Sequence, residues 1–242
     1  MALLSKLTLL KSPTNKAEPI ATKAAKAAIW LVDSRSVSDH DLTRHFDSLN
    51  VDEVARYKRF IRPQRQRQFL IGRVLLRLAL ANLLQVQADD INLSERVGHA
   101  PVLISPASAH APGFSLSHSG FWIACAVSLS AVLGLDIEVL DTSRDFLALS
   151  EHAFDVNEQK LLAALADSEL AAAFYALWSR REASYKFISN CTAELAVIPY
   201  CLTLEHPSLS VVLASADPWA VSPEIIQVAL ETGLPLVSNT SS

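Results

Sequence analysis

The chain has 242 residues, half of them apolar and 19% charged, with a formal net charge of -4. That length can bury one large core or two modest ones of about 100 residues each, so a disordered chain is excluded. No apolar stretch approaches the roughly 18 to 20 uninterrupted residues that cross a bilayer, and so small a net charge points to no partner by itself.

Residues 1–27 carry five lysines against the single Glu18, and their one short apolar run is broken by Lys6. The run is too short for a good secretory signal, and the segment reads as an N-terminal extension, with an organellar presequence or a flexible tail as the alternatives. The first core-like element is AIWLVD (28–33), an apolar run of strand character. Residues 41–60 then show helical spacing up to Pro63. In 64–86, Phe69, Leu70, Val74, Leu78, Ala81 and Leu84 fall near a 3.6-residue period, and Pro63 sits where a first helical turn tolerates proline. A long helix is expected, with an apolar side and an arginine-rich side whose remaining arginines face solvent. Between Arg56 and Arg77 there are eight Lys and Arg residues and no Asp or Glu. Such a run calls for an anion, whether phosphate, nucleic acid or an acidic protein.

After a loop around Gly98 and Pro101, FSLSHSGFWIACAV (114–127) alternates on both sides of a small Ser-His-Ser-Gly break, as two short strands or one bent strand would. AVLGLDIEVL (131–140) places Leu133, Leu135, Ile137 and Val139 on one strand face and Asp136 and Glu138 on the other. From Asp155 the pattern is helical again to about residue 189, with Asp167 or Ser168 as a cap between two helices. Residues 195–242 return to short β-like runs broken by Pro199, Pro207 and Pro218. The three scattered cysteines, Cys125, Cys191 and Cys201, suggest neither a disulfide framework nor a zinc site, and a reducing cytoplasm is the simplest setting. The mixed order of elements predicts an α+β fold in two lobes, 28–130 and 131–242, with the junction near 128–134.

Two carboxylates aimed the same way suit a hard cation such as Mg2+, which takes oxygen ligands and keeps positions open for water and phosphate. Glu182 is the candidate third carboxylate. If 177–187 is helical, Trp178, Glu182 and Lys186 lie four apart on one face.

The order of these segments resembles the signature of the 4'-phosphopantetheinyl transferase superfamily. Leu133-Gly134-Leu135-Asp136-Ile137-Glu138 is similar to its (I/V)-G-(I/V)-D-x-E, and Trp178-Ser179-Arg180-Arg181-Glu182-Ala183-Ser184-Tyr185-Lys186 to its (F/W)-(S/C/T)-x-K-E-(A/S)-x-x-K. FSLSHSGFWIACAV looks like the F-N-x-S-H-S block and GHAPVL (98–103) like the G-K-P block. The segment 57–77 resembles the arginine-rich helix of the long, surfactin-synthetase-activating type. Two departures stand out: Arg181 replaces the usual lysine, and His99-Ala100 replaces the G-K-P lysine.

The resemblance implies two similar α/β lobes forming a pseudo-dimer, a monomeric chain, and transfer of the phosphopantetheine arm of coenzyme A to a serine of an apo acyl or peptidyl carrier protein, with release of 3',5'-ADP. It assigns Asp136, Glu138 and Glu182 to Mg2+, Lys186 to the coenzyme A pyrophosphate, and Ser117, His118 and His99 to coenzyme A. Arg56 with Arg67 or Arg73 would hold the 3'-phosphate. Glu182 or a metal-bound hydroxide would activate the carrier serine. A metal-dependent nuclease or phosphohydrolase would use the same acids and arginines, and a non-catalytic coenzyme A or carrier binder would account for the two departures. Neither a nucleic acid nor a membrane is the expected partner.

Overall fold

A computed structural model of the chain describes residues 26–96, 100–107, 111–191, 198–230 and 236–238. His99, and residues 1–25 of the expected extension, lie outside the described residues.

Strand β1 (Ala27–Asp33) is followed by helices α1 (Asp39–Phe46), α2 (Val51–Lys58) and α3 (Pro63–Leu84). The helical stretch expected over 41–60 is split in two at Asn50. Its side chain accepts from the Glu53 amide while Glu53 reaches back to the Asn50 amide, a reciprocal cap that starts α2. Pro63 occupies the first turn of α3, where no intrahelical N–H is required. A short hairpin, β2 (Asn92–Ser94) and β3 (Val102–Ser105), leads to β4 (Gly113–Ser119) and β5 (Trp122–Ser128). The break expected at Ser-His-Ser-Gly begins only at its glycine: Ser117, His118 and Ser119 are paired residues of β4, and the turn of this second hairpin is made at Gly120, with φ +55°, and Phe121. Next come β6 (Gly134–Val139), α4 (Phe146–Ala153), α5 (Val156–Ala163) and α6 (Asp167–Asn190). The chain closes with β7 (Tyr200–Leu204), β8 (Leu209–Ser215), β9 (Glu224–Ala229) and β10 (Leu236–Ser238). The residue before α6 is Ala166, so neither Asp167 nor Ser168 caps it; the cap side chain is instead Asp155, which starts α5.

The fold is α+β. Sheet one runs β10-β9-β1-β5-β4 and sheet two β6-β8-β7. Strand β1 is apolar on both sides because both are covered. Trp30 and Val32 join the core under α3, with Leu75, Leu76, Leu80 and Cys125. Ile29 and Leu31 face the other way into a second core with Leu135, Ile137, Val211 and Leu213 of sheet two. The outer face of sheet two, Val212 and Ala214, packs on Ala183 and Phe187 of α6. The order of layers is therefore helix, sheet, sheet, helix. Strand β9 pairs parallel with β1, so the last part of the chain returns to the sheet of the first half across the expected boundary near 130.

The arginine side of α3 is not simply solvated. Arg73 and Arg77 are 4% and 6% exposed, and Arg77 Nη2 donates to the fully buried Glu53 carboxylate at 2.5 Å. A buried charge is tolerated only when paired in this way.

Sheet two approaches α6 at backbone distance at Gly134, where an added Cβ would lie 1.9 Å from the Ala183 carbonyl oxygen and 2.5 Å from the Phe187 amide. Both neighbours are backbone and cannot turn aside. Gly134→Ala is expected to lower unfolding stability by about 1–3 kcal/mol through overpacking, measured by chemical denaturation. An unchanged midpoint would contradict this contact.

Candidate active site

Three serines of β4 set the geometry of the site. Ser115, Ser117 and Ser119 point to one side of the strand, and their hydroxyls accept the backbone amides of Leu135, Ile137 and Val139 at 2.9, 3.2 and 3.0 Å. The hydroxyl protons are turned to the intervening acids. Ser117 Oγ donates to Asp136 Oδ1 at 3.0 Å and Ser119 Oγ to Glu138 Oε2 at 2.6 Å. The two carboxylates, on the α6 side of β6, are thus oriented by the same contacts that hold β6 beside β4.

Helix α6 supplies the facing groups at its four-residue repeat. Trp178 Nε1 donates to Glu138 Oε1 at 3.1 Å, and Lys186 Nζ donates to Asp136 Oδ1 at 2.7 Å and to Ser117 Oγ at 3.0 Å. Glu182 lies between them in sequence and lines the same cavity. Burial raises the Glu138 pKa above its ordinary value, and the neighbouring Asp136 charge adds to the rise.

The cavity, of about 630 Å3, opens between α3, β4 and α6. It brings together Arg56, Arg73, Ser117, His118, Asp136, Glu138, Glu182 and Lys186 of the residues singled out from sequence. Arg67 is elsewhere. Its guanidinium donates to the carbonyls of Ser34 and Val37 and pairs with Asp39 at 2.7 Å, tying α3 to the turn after β1. Arg181, the unusual residue of the second motif, also points away, pairing with Glu158 at 2.8 Å.

The arginine that sequence reasoning missed is Arg65, two residues from Arg67. Its Nη1 lies 2.5 Å from His118 Nε2. Arginine only donates, so a ring nitrogen must accept and the imidazole is neutral; Nε2 is the nearer acceptor, with Nδ1 at 3.3 Å. Burial against the cavity wall, with the Arg65 and Lys186 cations beside it, lowers the His118 pKa to about 4. The residue as a whole is nonetheless exposed to solvent. The charge that follows from the lowered pKa is a neutral His118 at pH 7.

A divalent ion suits these residues by donor chemistry. Asp136 Oδ2 is buried without a hydrogen-bond partner, a costly state that an added cation would relieve. The available donors are carboxylate oxygens, the ligands of a hard cation. Among the described residues, however, no three His, Cys, Asp or Glu side chains are gathered closely enough to enclose a metal. No described helix is long and apolar enough to cross a membrane.

Comparison with known proteins gives a consistent picture. Residues 35–130 match the family model described as 4'-phosphopantetheinyl transferase, N-terminal, and residues 132–222 that of the 4'-phosphopantetheinyl transferase superfamily. The two matches meet at the linker between β5 and β6. The chain is 30% identical over 174 residues to the 4'-phosphopantetheinyl transferase HetI of Nostoc sp., covering 72% of each chain. It is 29% identical to Sfp of Bacillus subtilis, over 63% of this chain and 65% of that one. It is also 29% identical to AcpT of Salmonella typhimurium, over 69% and 85%.

The neutral state of His118 is open to direct measurement. Arg65→Gln removes one cation but leaves the burial, so the imidazole should titrate part of the way back from about 4 toward its ordinary 6.5. Because the folded value is depressed, stability is fully present above 6.5 and lost as the pH falls toward 4. NMR titration of the ring protons reads the shift. No movement would mean that Arg65 exerts no field on the ring.

Proposed function

Since the chain belongs to the 4'-phosphopantetheinyl transferase superfamily, we propose that it moves the phosphopantetheine group of coenzyme A onto a serine of an apo acyl or peptidyl carrier protein, releasing 3',5'-ADP. The observation that carries this reading is the cavity between α3, β4 and α6, where cationic side chains of the first half face the carboxylates of the second.

Lys186 is suited to the pyrophosphate. Two of its three N–H donors go to Asp136 and Ser117, which fix the ammonium and leave one donor for an incoming oxygen. Arg56 and Arg73, at the α3 side of the cavity, would hold the 3'-phosphate. Ser117 and the neutral His118 would orient coenzyme A between these two anchors. Asp136, Glu138 and Glu182 would hold Mg2+, which when bound offsets the negative charge that grows on the phosphoanhydride as it splits. Glu182 makes no ion pair or hydrogen bond among the described residues, so the carboxylate oxygen it does not give to the cation would be available to accept the proton of the carrier serine. The hydroxyl oxygen then attacks the β-phosphorus, and the bond to the α-phosphate oxygen breaks. Positioning and charge stabilisation supply most of the acceleration. A cytoplasmic, monomeric enzyme is the simplest setting for this chemistry.

Mass spectrometry of an apo carrier after incubation with the protein, coenzyme A and Mg2+ tests the proposal. The carrier should gain a single phosphopantetheine mass, with none gained in EDTA and the gain restored by added Mg2+. Glu182→Gln should lower kcat by roughly 100-fold or more, the usual size of a lost general base. A carrier that gains no mass, or full activity in the Gln variant, would refute the reading.

A further inference from the structure

Behind the α3 side of the cavity lies a buried charge network whose two glutamates the proposed chemistry does not use. Glu53 takes Arg77 at 2.5 Å. Glu95, just after β2, takes two of the three arginines that line the cavity, Arg56 and Arg73. Its Oε1 accepts from Arg73 Nε at 2.8 Å and Nη2 at 2.6 Å, and its Oε2 pairs with Arg56 Nη1. The side chains of Glu95 and Arg73 are 10% and 5% exposed, so these bonds are poorly screened. The Nε and Nη2 edge of an arginine is the edge that chelates a phosphate, and here both of its donors are already committed to one carboxylate oxygen.

Resting on the reading that this cavity receives coenzyme A, we propose that Glu95 is an internal competitor for the arginine anion site. It occupies the donors of Arg56 and Arg73 and so sets how tightly the enzyme holds the coenzyme A phosphate placed there.

A second feature of the network supports a competing role over a purely structural one. Arg73 Nε also lies 3.5 Å from Glu53 Oε1, and that oxygen is fully buried yet lacks a hydrogen bond. Glu53 thus holds an acceptor in reserve. When an anion draws Arg73 away from Glu95, or when Glu95 loses its charge, Arg73 still has a buried carboxylate beside it and need not be stranded. The face of Phe69, 4.5 Å from the Arg73 guanidinium carbon and 5.7 Å from that of Arg56, keeps both cations at the wall in either case. Of the five charges in the network, three arginines against two glutamates, Glu95 is the one that contacts both Arg56 and Arg73.

The test compares coenzyme A with dephospho-coenzyme A, which lacks the 3'-phosphate, on the wild-type protein and on Glu95→Gln. Calorimetric binding and steady-state kinetics are both read. The variant should bind coenzyme A at least about threefold more tightly and lower its KM accordingly. Its kcat should change by less than about twofold, and its affinity for dephospho-coenzyme A should be unchanged. Glu95→Asp keeps the charge but is shorter and cannot reach both guanidinium groups together, so it should fall between wild type and Glu95→Gln. It also provides a folded comparison if the Gln variant melts early. Unchanged or weaker coenzyme A binding in a folded variant would overturn the proposal and make Glu95 a support for the arginines. Equal tightening of both ligands would keep Glu95 as competitor but move the contested anion to the pyrophosphate, overturning the assignment of the arginines to the 3'-phosphate instead.

Discussion

The seam between β4 and β6 is closed by side chains where a sheet would use backbone. The two strands belong to different sheets, yet the amides of Leu135, Ile137 and Val139 are satisfied by the hydroxyls of Ser115, Ser117 and Ser119. A buried amide left unpaired costs about 1–3 kcal/mol, so three such rungs fix the register of the two halves of the chain. A carbonyl in place of each hydroxyl could only accept. A serine also donates, and the protons of Ser117 and Ser119 go to Asp136 and Glu138. The contact that joins the sheets is therefore the one that aims the acids.

The rest of the site is arranged around that seam. Gly134 lets α6 lie against β6 at backbone distance, which brings Trp178 and Lys186 onto Glu138 and Asp136. On the other side, α3 leans on β5 and turns Arg65 toward His118 and Arg73 into the cavity wall. Acids and cations thus face one another across a space that neither half encloses alone. Asp136 Oδ2 remains unpartnered, and Arg56 and Arg73 are held by a glutamate. A ligand carrying phosphates together with a cation would complete both sides.

Much of this was legible in the sequence because periodicity states which face a residue occupies. The two-residue repeat put Asp136 and Glu138 together, and the four-residue repeat put Trp178, Glu182 and Lys186 together. The glycine after Ser-His-Ser marked a turn, and Pro63 a helix start, that the structure contains. Periodicity does not name the partner across space. Nothing local distinguished Arg67, spent on the turn after β1, from Arg65, which meets His118. The burial of Arg77 depends on Glu53, 24 positions away, and the hold on Arg56 and Arg73 depends on Glu95 beyond the end of α3. The return of β9 to β1 was hidden for the same reason, since IIQVAL reads as a strand wherever it pairs. The alternate serines of β4 were a visible signal, but their role as rungs required knowing which strand lay alongside.

The central claim is that a serine-closed seam presents one anion-binding cavity to coenzyme A. A crystal structure of the protein with coenzyme A tests it most directly. The account predicts the pyrophosphate within hydrogen-bond reach of Lys186 and beside Asp136, the adenosine end toward Arg56 and Arg73, and the three serine bonds to β6 intact. Coenzyme A seated outside this cavity, or bound with β6 parted from β4, would contradict it.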